Sequence, residues 1–540
     1  MARQIVQIGS IFGGFSPAQY FTAEGQYLAG VGLDPDLPIS DAVGDRLTAG
    51  VLRPSGYAKF SSTGVDANPY WIVTNPKNAL IYSIQNNGKI VSYTSSFGSE
   101  TSVGTAATSS GNGASYYNNY LYVAANTNIS RYGPLGSASL TDSVWTGATL
   151  GSQTALVNTT YPSIRGSGTM PNHVMHPHVD GALYVCDFDS TSSTVANRGK
   201  GLIHKIVTKY GSAEGDTNNG SAYNVLDLPF GYMPTCLASL GNDLVIGAIQ
   251  TSDSALIQGK AALFFWDTIS DSFYLQVDLP DALVTAIKTI NGMLYVWTGN
   301  TTTGADVSNG YRVSVYAGGT TTSQVYYSDV GSPPLAGAVE AIGDRVMWGT
   351  FYQVPTTTAA SPSYYAVVMA LASKNRQLTG GAHCIVNTSG GATAADGVVT
   401  AIKSVQQASS SYPKLVVGWR SASAYGLDNQ STTYGTSVFR TQMFAVGKKG
   451  IVRRIRLSLA AAVAANMTIT PKLFLDDFSS SSTTGVAVIN NTNYAASERY
   501  VQWYPDVSFD HNFCLELVWS GTALAPVLLP LEVEIESFGD

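Results

Sequence analysis

Charged side chains are scarce in this sequence. Only 12% of the 540 residues are Asp, Glu, Lys or Arg, against roughly 25% in a typical soluble domain. Lys and Arg together number 29 and Asp and Glu number 36, so the formal net charge is -7. This composition argues against a coiled coil, a highly charged disordered chain and a basic nucleic-acid-binding protein.

Cysteine and long apolar runs are scarce as well. Cys186, Cys236, Cys384 and Cys514 lie far apart and form no C-x-x-C pair, which argues against a zinc knuckle or a disulfide scaffold. No segment approaches the roughly 20 apolar residues that span a bilayer, and the first residues lack the apolar core of a signal peptide. The sequence predicts a soluble product of a reducing cytoplasm, with no membrane span.

Uncharged polar residues and tyrosine are abundant instead. The chain has 54 Gly, 31 Tyr and 44% hydrophobic residues, a mixture that suits many short strands joined by turns. A short apolar strand recurs seven times, with starts about 40 to 70 residues apart, at 79–84, 120–125, 182–187, 243–248, 293–298, 345–350 and 414–419. Tight polar turns precede most copies, and Asn291-Gly292 is a typical hairpin dipeptide.

This recurrence predicts an all-β fold, a β-propeller of about seven blades with about four strands each. Periods near 50 residues in a β pattern are typical of propellers, because a lone four-stranded sheet cannot bury both of its faces. Six blades, or blades of unequal size, fit nearly as well. A tandem of β-sandwiches is the alternative architecture.

Both ends of the chain depart from the repeat. Residues 1–60 contain Gly13-Gly14 and several prolines with little periodicity, and they predict an extended N-terminal arm. Residues 61–447 hold the predicted propeller. Residues 448–540 contain strands that alternate with period 2, which predicts a C-terminal β-sandwich. We expect the arm and the sandwich to make contacts between copies, so that deleting residues 1–55 abolishes assembly and leaves the propeller folded.

Three histidines lie within six residues: His173, His176 and His178. Imidazole binds zinc or nickel, but this spacing matches no metal signature and Pro177 interrupts strand pairing. We therefore favour hydrogen bonding in loops or between blades and predict no metal or cofactor site. Further candidates near them in sequence are Asp187, Asp189 and His204.

Other candidate sites each have a structural alternative. The aspartate pairs could bind calcium through hard oxygens, but capping of turns is the favoured interpretation. Tyrosines in 115–120 and 364–365 could stack on sugars, although packing between blades is favoured. The aspartate pairs are Asp34 with Asp36, Asp187 with Asp189, and Asp476 with Asp477.

Residues 447–456 hold the one strong concentration of charge, five basic residues in ten. A channel wall that passes DNA would use such charge without sequence specificity. An edge strand would use it to discourage aggregation. A subunit contact could pair it with Glu532, Glu534 and Glu536. We favour the edge strand and the subunit contact.

Motifs of catalysis are missing. The sequence has no G-x-S-x-G, no P-loop and no H-E-x-x-H. A glycosidase site needs two carboxylates that face each other, and such a pair has no sequence motif. The sequence therefore leaves the possibility of a glycosidase open. We predict that the chain is not an enzyme and has no catalytic residues.

Three N-terminal motifs resemble the opening of many tailed-bacteriophage virion proteins. They are Phe-Gly-Gly-Phe at 12–15, Ala-Glu-Gly-Gln-Tyr at 23–27 and Gly-Val-Leu-Arg-Pro-Ser-Gly at 50–56. The C-terminal strands at 452–457 and 531–536 are similar to the terminal sandwich of such proteins. The architecture resembles the tail nozzle (tail tubular B-like) proteins and related propeller-bearing tail components. This resemblance implies a ring of copies, six by the family, around a DNA channel, with no catalysis and no cofactor.

The resulting expectation is a non-enzymatic structural component of a phage tail or neck, nozzle- or adaptor-like, that serves tail assembly and DNA ejection. The expected partners are copies of the chain, other tail or neck proteins, and DNA that passes without specificity. The expected location is the virion tail, after assembly in the host cytoplasm. The alternative is a receptor-binding propeller that stacks a host-surface glycan on exposed Tyr or Trp.

Overall fold

The computed structural model describes most of the chain, in many short ranges. They are 2–9, 14–15, 26–33, 39–40, 46–47, 51–52, 57–60, 65–75, 80–94, 101–105, 112–133, 142–145, 156–157, 159–164, 166–190, 199–208, 220–251, 260–300, 310–328, 331–343, 345–354, 363–374, 377–387, 397–406, 413–421, 424–430, 437–459, 463, 465, 467–477, 481–482, 489–490, 500–521 and 527–538. Within these ranges the only helical element is a 3-10 turn, Ala336–Ala338, and no helix is long and apolar enough to cross a bilayer.

Seven four-stranded antiparallel sheets form the propeller, one sheet per blade. The strands of each blade, from the inner strand outward, are as follows. Blade 1 has Pro69–Thr74, Ile81–Gln85, Lys89–Tyr93 and Thr101–Thr105; blade 2 has Gly113–Tyr117, Tyr120–Ala125, Asn128–Tyr132 and Asp142–Trp145; blade 3 has Met175–Pro177, Leu183–Asp189, Lys200–Thr208 and Gly220–Asp227; blade 4 has Tyr232–Leu240, Asp243–Gln250, Ala262–Trp266 and Leu275–Asp278; blade 5 has Leu283–Ile290, Met293–Gly299, Tyr311–Tyr316 and Ser323–Ser328; blade 6 has Val339–Ile342, Arg345–Val354, Ser363–Lys374 and Gln377–Asn387; blade 7 has Val398–Val405, Lys414–Arg420, Tyr425–Gln430 and Tyr57–Phe60.

The predicted all-β propeller is confirmed, and the recurring apolar strand is the second strand of each blade. These strands are buried on both faces because a neighbouring blade covers each face. The Asn291-Gly292 hairpin is confirmed as well: both residues have positive φ, 50° and 76°, as the tight two-residue turns of hairpins require.

Glycine in the second strand allows neighbouring blades to approach closely. Gly349 of blade 6 faces blade 7, and a Cβ on it would lie 2.4 Å from Cγ1 of Val399. Gly418 of blade 7 faces blade 1 in the same way, 2.9 Å from Cγ of Pro69. Real Cβ atoms do not come so near to other atoms, so a side chain here would push two blades apart.

The N-terminal segment closes the propeller. Tyr57–Phe60 pairs with Tyr425–Gln430 through four residue pairs, from Leu427 with Phe60 to Gln430 with Tyr57. The outer strand of blade 7 therefore comes from the opposite end of the propeller sequence. Such pairing ties the first and last parts of the propeller together and leaves no open seam in the ring.

The remaining long strands form two sheets that pack face to face as a β-sandwich. One sheet has the order Ala2–Ile8, Val527–Ser537, Gly450–Leu459 and Tyr500–Trp503, and Val51–Leu52 and Val507–Phe509 pair with its two central strands. The other has the order Ala29–Val31, Ser437–Arg440, Asn512–Gly521, Met467–Leu475 and Ser481–Ser482, and Phe444–Ala445 pairs with Asn512–Gly521. Three two-stranded pairs complete the described strands: Gly14–Phe15 with Gln26–Tyr27, Ile39–Ser40 with Arg46–Leu47, and Ser163–Ile164 with Gly168–Thr169.

Described strands within the predicted arm, residues 1–60, pair with both folded units. Ala2–Ile8 pairs with the C-terminal strand over seven residue pairs, Ala29–Val31 pairs with Ser437–Arg440, and Tyr57–Phe60 closes blade 7. The local pattern of this segment is weak because its strands depend on partners far away in the chain.

The sandwich also packs against the propeller. One buried cluster contains Trp297 of blade 5, Trp348 of blade 6, Tyr27 of the short strand Gln26–Tyr27, and Phe439 of the sandwich. Propeller and sandwich thus share a continuous apolar core.

A buried ion pair, Arg440 with Glu516, joins two strands within the sandwich, and Arg440 Nε donates to Glu516 Oε2 at 2.7 Å.

Candidate functional site

The inner strands of all seven blades surround a central cavity of about 570 Å³, the central well. Its volume lies in the range of small-molecule sites. Apolar side chains such as Leu237, Ile287 and Ile402 form much of its wall. The 3-10 turn Ala336–Ala338 packs against the inner strands of blades 1, 5 and 7 and narrows the well.

One level of the well is a ring of register-equivalent residues, the channel ring. Each member pairs across its hairpin with the third residue of the recurring apolar strand. Because the blades repeat, equivalent registers place these residues at the same height around the axis. The members, from blade 1 to blade 7, are Thr74, Ser115, His176, Ala238, Lys288, Glu340 and Lys403.

Three consecutive blades carry the charge of the channel ring. Glu340 of blade 6 accepts from Nζ of Lys288 at 3.1 Å and from Nζ of Lys403 at 2.9 Å. Burial alone would raise the pKa of Glu340, but the two ammonium groups and their hydrogen bonds lower it to about 2. The carboxylate therefore clamps blades 5, 6 and 7 together, and the trio carries one net positive charge.

The other titratable side chain of the ring is His176. Its Nε2 lies 2.9 Å from Oγ of Ser239, and the same hydroxyl lies 2.7 Å from Nδ1 of His178. Burial first, and then the charge of Lys288, lowers the pKa of His176 to about 3. His176 is therefore neutral at pH 7 and does not change the charge of the well.

The histidine cluster predicted from the sequence lies in two separate places. His176 and His178 join blade 3 to Ser239 of blade 4. His173 is fully buried, with its ring nitrogens 2.7 Å from the carbonyl of Asn126 and 3.2 Å from that of Cys186. These contacts agree with the predicted hydrogen bonding between blades.

Asp187 and His204 form a buried pair on the second and third strands of blade 3. Nε2 of His204 lies 3.1 Å from Oδ2 of Asp187. The carboxylate also accepts from the backbone amides of Val157 and Phe188. Among the described residues, no three His, Cys, Asp or Glu side chains gather in a group that could hold a metal ion.

The other predicted candidates have structural partners where they are described. Asp476 accepts hydrogen bonds from the backbone amides of Asp510, His511 and Asn512, so it caps a turn. Tyr117 and Tyr120 are buried, and Tyr116 lines the well. Asp34 and Asp36, and the side chains of Tyr364 and Tyr365, lie outside the described residues.

The basic segment is a central strand of the sandwich, because Gly450–Leu459 pairs on both sides. The edge-strand interpretation is therefore wrong. The acidic residues that were considered for a contact between subunits pair with the basic residues within one chain, because they lie on the neighbouring strand Val527–Ser537. The ion pairs are Arg453 with Glu536, Arg454 with Glu534, and Arg456 with Glu532.

Lys288, Glu340 and Lys403 are not among the site residues predicted from the sequence. A signal was present: Lys288 and Lys403 stand at the same place in the similar segments 283–288 and 398–403. Counting back from each hairpin turn to the inner strand would have placed Glu340 between them. Charge on a strand otherwise buried in a propeller indicates a polar site at its axis.

No family model matches the chain, and no curated protein sequence matches it. Solved structures similar to it include the β-propeller domain of Myceliophteria thermophila Cps50 (Swd1), with a TM-score of 0.40, 9% identity, and coverage of 69% of this chain and 98% of that chain. The WD40 β-propeller domain of Doa1 has a TM-score of 0.37, 10% identity and coverage of 70% and 98%. The Dos1 propeller has a TM-score of 0.40, 11% identity and coverage of 71% and 96%. The blade count rests on the seven sheets of this chain.

Proposed function

We propose that the chain is a non-enzymatic structural component of a phage tail or neck, a nozzle- or adaptor-like subunit of a ring around the DNA channel. The observation that carries the proposal is that the N-terminal segment pairs with strands of both the propeller and the sandwich. Its strands close blade 7 and complete both sheets of the sandwich. A subunit built this way resists opening, as a passage for DNA under pressure requires.

The shared core supports the same role. Propeller and sandwich bury one apolar cluster between them, so they move as one body. The central well has the volume of a small-molecule site, and the passage for DNA therefore lies between copies rather than along the propeller axis. The ring has six copies by the resemblance, sits in the virion tail and is assembled in the host cytoplasm with other tail or neck proteins.

The receptor-binding alternative has one observation in its favour. Tyr274 of blade 4 and Tyr327 of blade 5 expose 60% and 51% of their surface. Tyr327 borders a depression of about 170 Å³ that also contains Asp281, Asn300 and Arg312. An exposed aromatic ring beside carboxylate, amide and guanidinium groups is suited to stacking on and hydrogen bonding to a sugar.

Loss of the chain from infected cells tests the proposal. A structural subunit of the passage is needed to complete the tail, so particles made without it should lack complete tails when viewed by electron microscopy. The full chain supplied in trans should restore them. Complete tails that only fail to adsorb to host cells would contradict the proposal and support the receptor-binding alternative.

A further inference from the structure

The central well has an uncompensated positive charge that faces an apolar wall. Lys288 and Lys403 share one carboxylate, Glu340, and His176 is neutral at pH 7 because its pKa is about 3. The other members of the channel ring are uncharged. The charges of the titratable groups that line the well therefore add up to one net positive charge at pH 7.

Both ammonium groups keep hydrogen-bonding capacity. An ammonium has three N–H donors, and each of these two uses one on Glu340. Their side chains are 32% and 34% exposed, so the remaining donors are accessible from the well. Glu340 is itself 8% exposed and holds the two ammonium groups in fixed positions on blades 5 and 7.

The wall around these donors suits the apolar part of a ligand. Ile287 and Ile402 precede the two lysines on the same inner strands, and Leu237, Val174 and Met175 line the same cavity. A site with a few placed polar groups in an apolar cavity of this size is typical of small-ligand binding. Pairing with an anion would offset the net charge, and the apolar walls would bury its carbon skeleton.

We propose that the central well binds an organic monocarboxylate with an apolar body, whose carboxylate accepts hydrogen bonds from Lys288 and Lys403. This ligand chemistry has two sources: a free small acid, or the C-terminal carboxylate of a peptide segment of a partner. The site does not depend on the role of the chain in a tail.

Calorimetric titration of the full chain with matched pairs of probes tests this inference. The small-acid pair is phenylacetate and its neutral analogue phenylacetamide. The peptide pair is acetyl-glycyl-phenylalanine and its C-terminal amide. At least one carboxylate should bind about tenfold or more tightly than its amide, because only the carboxylate pairs with the ammonium groups. The pair that shows the preference identifies the source.

Variants locate the binding and separate it from a general loss of stability. Lys288→Met and Lys403→Met should each weaken carboxylate binding about tenfold, whereas Glu340→Gln should strengthen it, because the net charge of the well rises. Lys260→Met, outside the well, should leave the affinity unchanged. Opposite signs for lysine and glutamate variants cannot come from destabilisation alone.

The comparison on the unmodified chain decides the matter even if a variant fails to fold. If neither carboxylate binds more tightly than its amide, the inference is wrong. It is also wrong if folded Lys288→Met and Lys403→Met variants bind the carboxylate as the unmodified chain does.

Discussion

A chain that begins at residue 61 should fail to close its propeller, whereas a chain that begins at residue 56 should close it. The two truncations lose the same sandwich strands and differ only in residues 56–60, which include Tyr57–Phe60. Without that strand, Tyr425–Gln430 loses its outer partner. A net contribution of about 1 kcal/mol per hydrogen bond predicts a loss of about 4 kcal/mol. In a chain of this length the loss corresponds to a fall in Tm of about 4 °C.

Thermal unfolding followed by circular dichroism, with limited proteolysis of blade 7, measures the difference between these two truncations. A third chain that lacks only residues 1–9 is the control for the sandwich, because it loses only the edge strand Ala2–Ile8. Equal Tm values and equal protease resistance for the chains that begin at 56 and 61 would contradict the closure of blade 7 by the N-terminal segment.

Replacement of Glu340 should weaken the propeller at neutral pH and have little effect in strong acid. The pKa of Glu340 is lowered from 4.5 to about 2 in the folded chain, so its carboxylate stabilises the fold above pH 4.5. That contribution is lost as the pH falls through about 2. A difference of this size corresponds to about 3 kcal/mol at neutral pH.

Denaturant unfolding of the unmodified chain and of Glu340→Gln across this pH range measures the effect. The gap in unfolding free energy should be about 3 kcal/mol at pH 7 and should shrink towards zero near pH 2. Glu532→Gln is the matched control, because Glu532 pairs with Arg456 on the sandwich surface and such pairs contribute about 0–1 kcal/mol. If the difference in unfolding free energy between the unmodified chain and Glu340→Gln does not change with pH, the proposed stabilisation of blades 5, 6 and 7 by the Glu340 carboxylate is wrong.

The propeller could be predicted because its signal is local. Each second strand is an apolar run with a turn before it, and the predicted 120–125 coincides with Tyr120–Ala125. The run is apolar on both faces because blades cover it on both sides, and this double burial distinguishes it from the alternating strands of the sandwich. The alternating pattern predicted within residues 448–540 falls in the long sandwich strands Gly450–Leu459, Met467–Leu475, Asn512–Gly521 and Val527–Ser537.

The pairing of the two chain ends could not be predicted in this way. Ala2–Ile8 pairs with a strand at the opposite end of the sequence, from Ala2 with Ser537 to Ile8 with Leu531. Its seven residues are exposed or half-buried, and their pattern does not indicate which strand they pair with. The prediction that the basic segment is an edge strand was wrong for the same reason, because the partners of Gly450–Leu459 are also far away in the sequence. The charges of this strand are typical of an edge strand, but three acidic residues on the adjacent strand neutralise them inside the sheet.

The candidate site needed the register of the sheets. The histidines drew attention because they are close in sequence, yet His173 is enclosed between blades while His176 faces the well. Lys288, Glu340 and Lys403 are more than 50 residues apart in sequence and meet only because three blades place equivalent positions side by side.

A density map of the intact tail, with this structure fitted into it, tests the proposed tail role most directly. The account predicts copies arranged as a ring on the tail axis, in contact with the tube, with the DNA passage between them. Each propeller should surround its own narrow well and not the DNA. Copies at the periphery of the particle, without contact with the channel, would contradict the account.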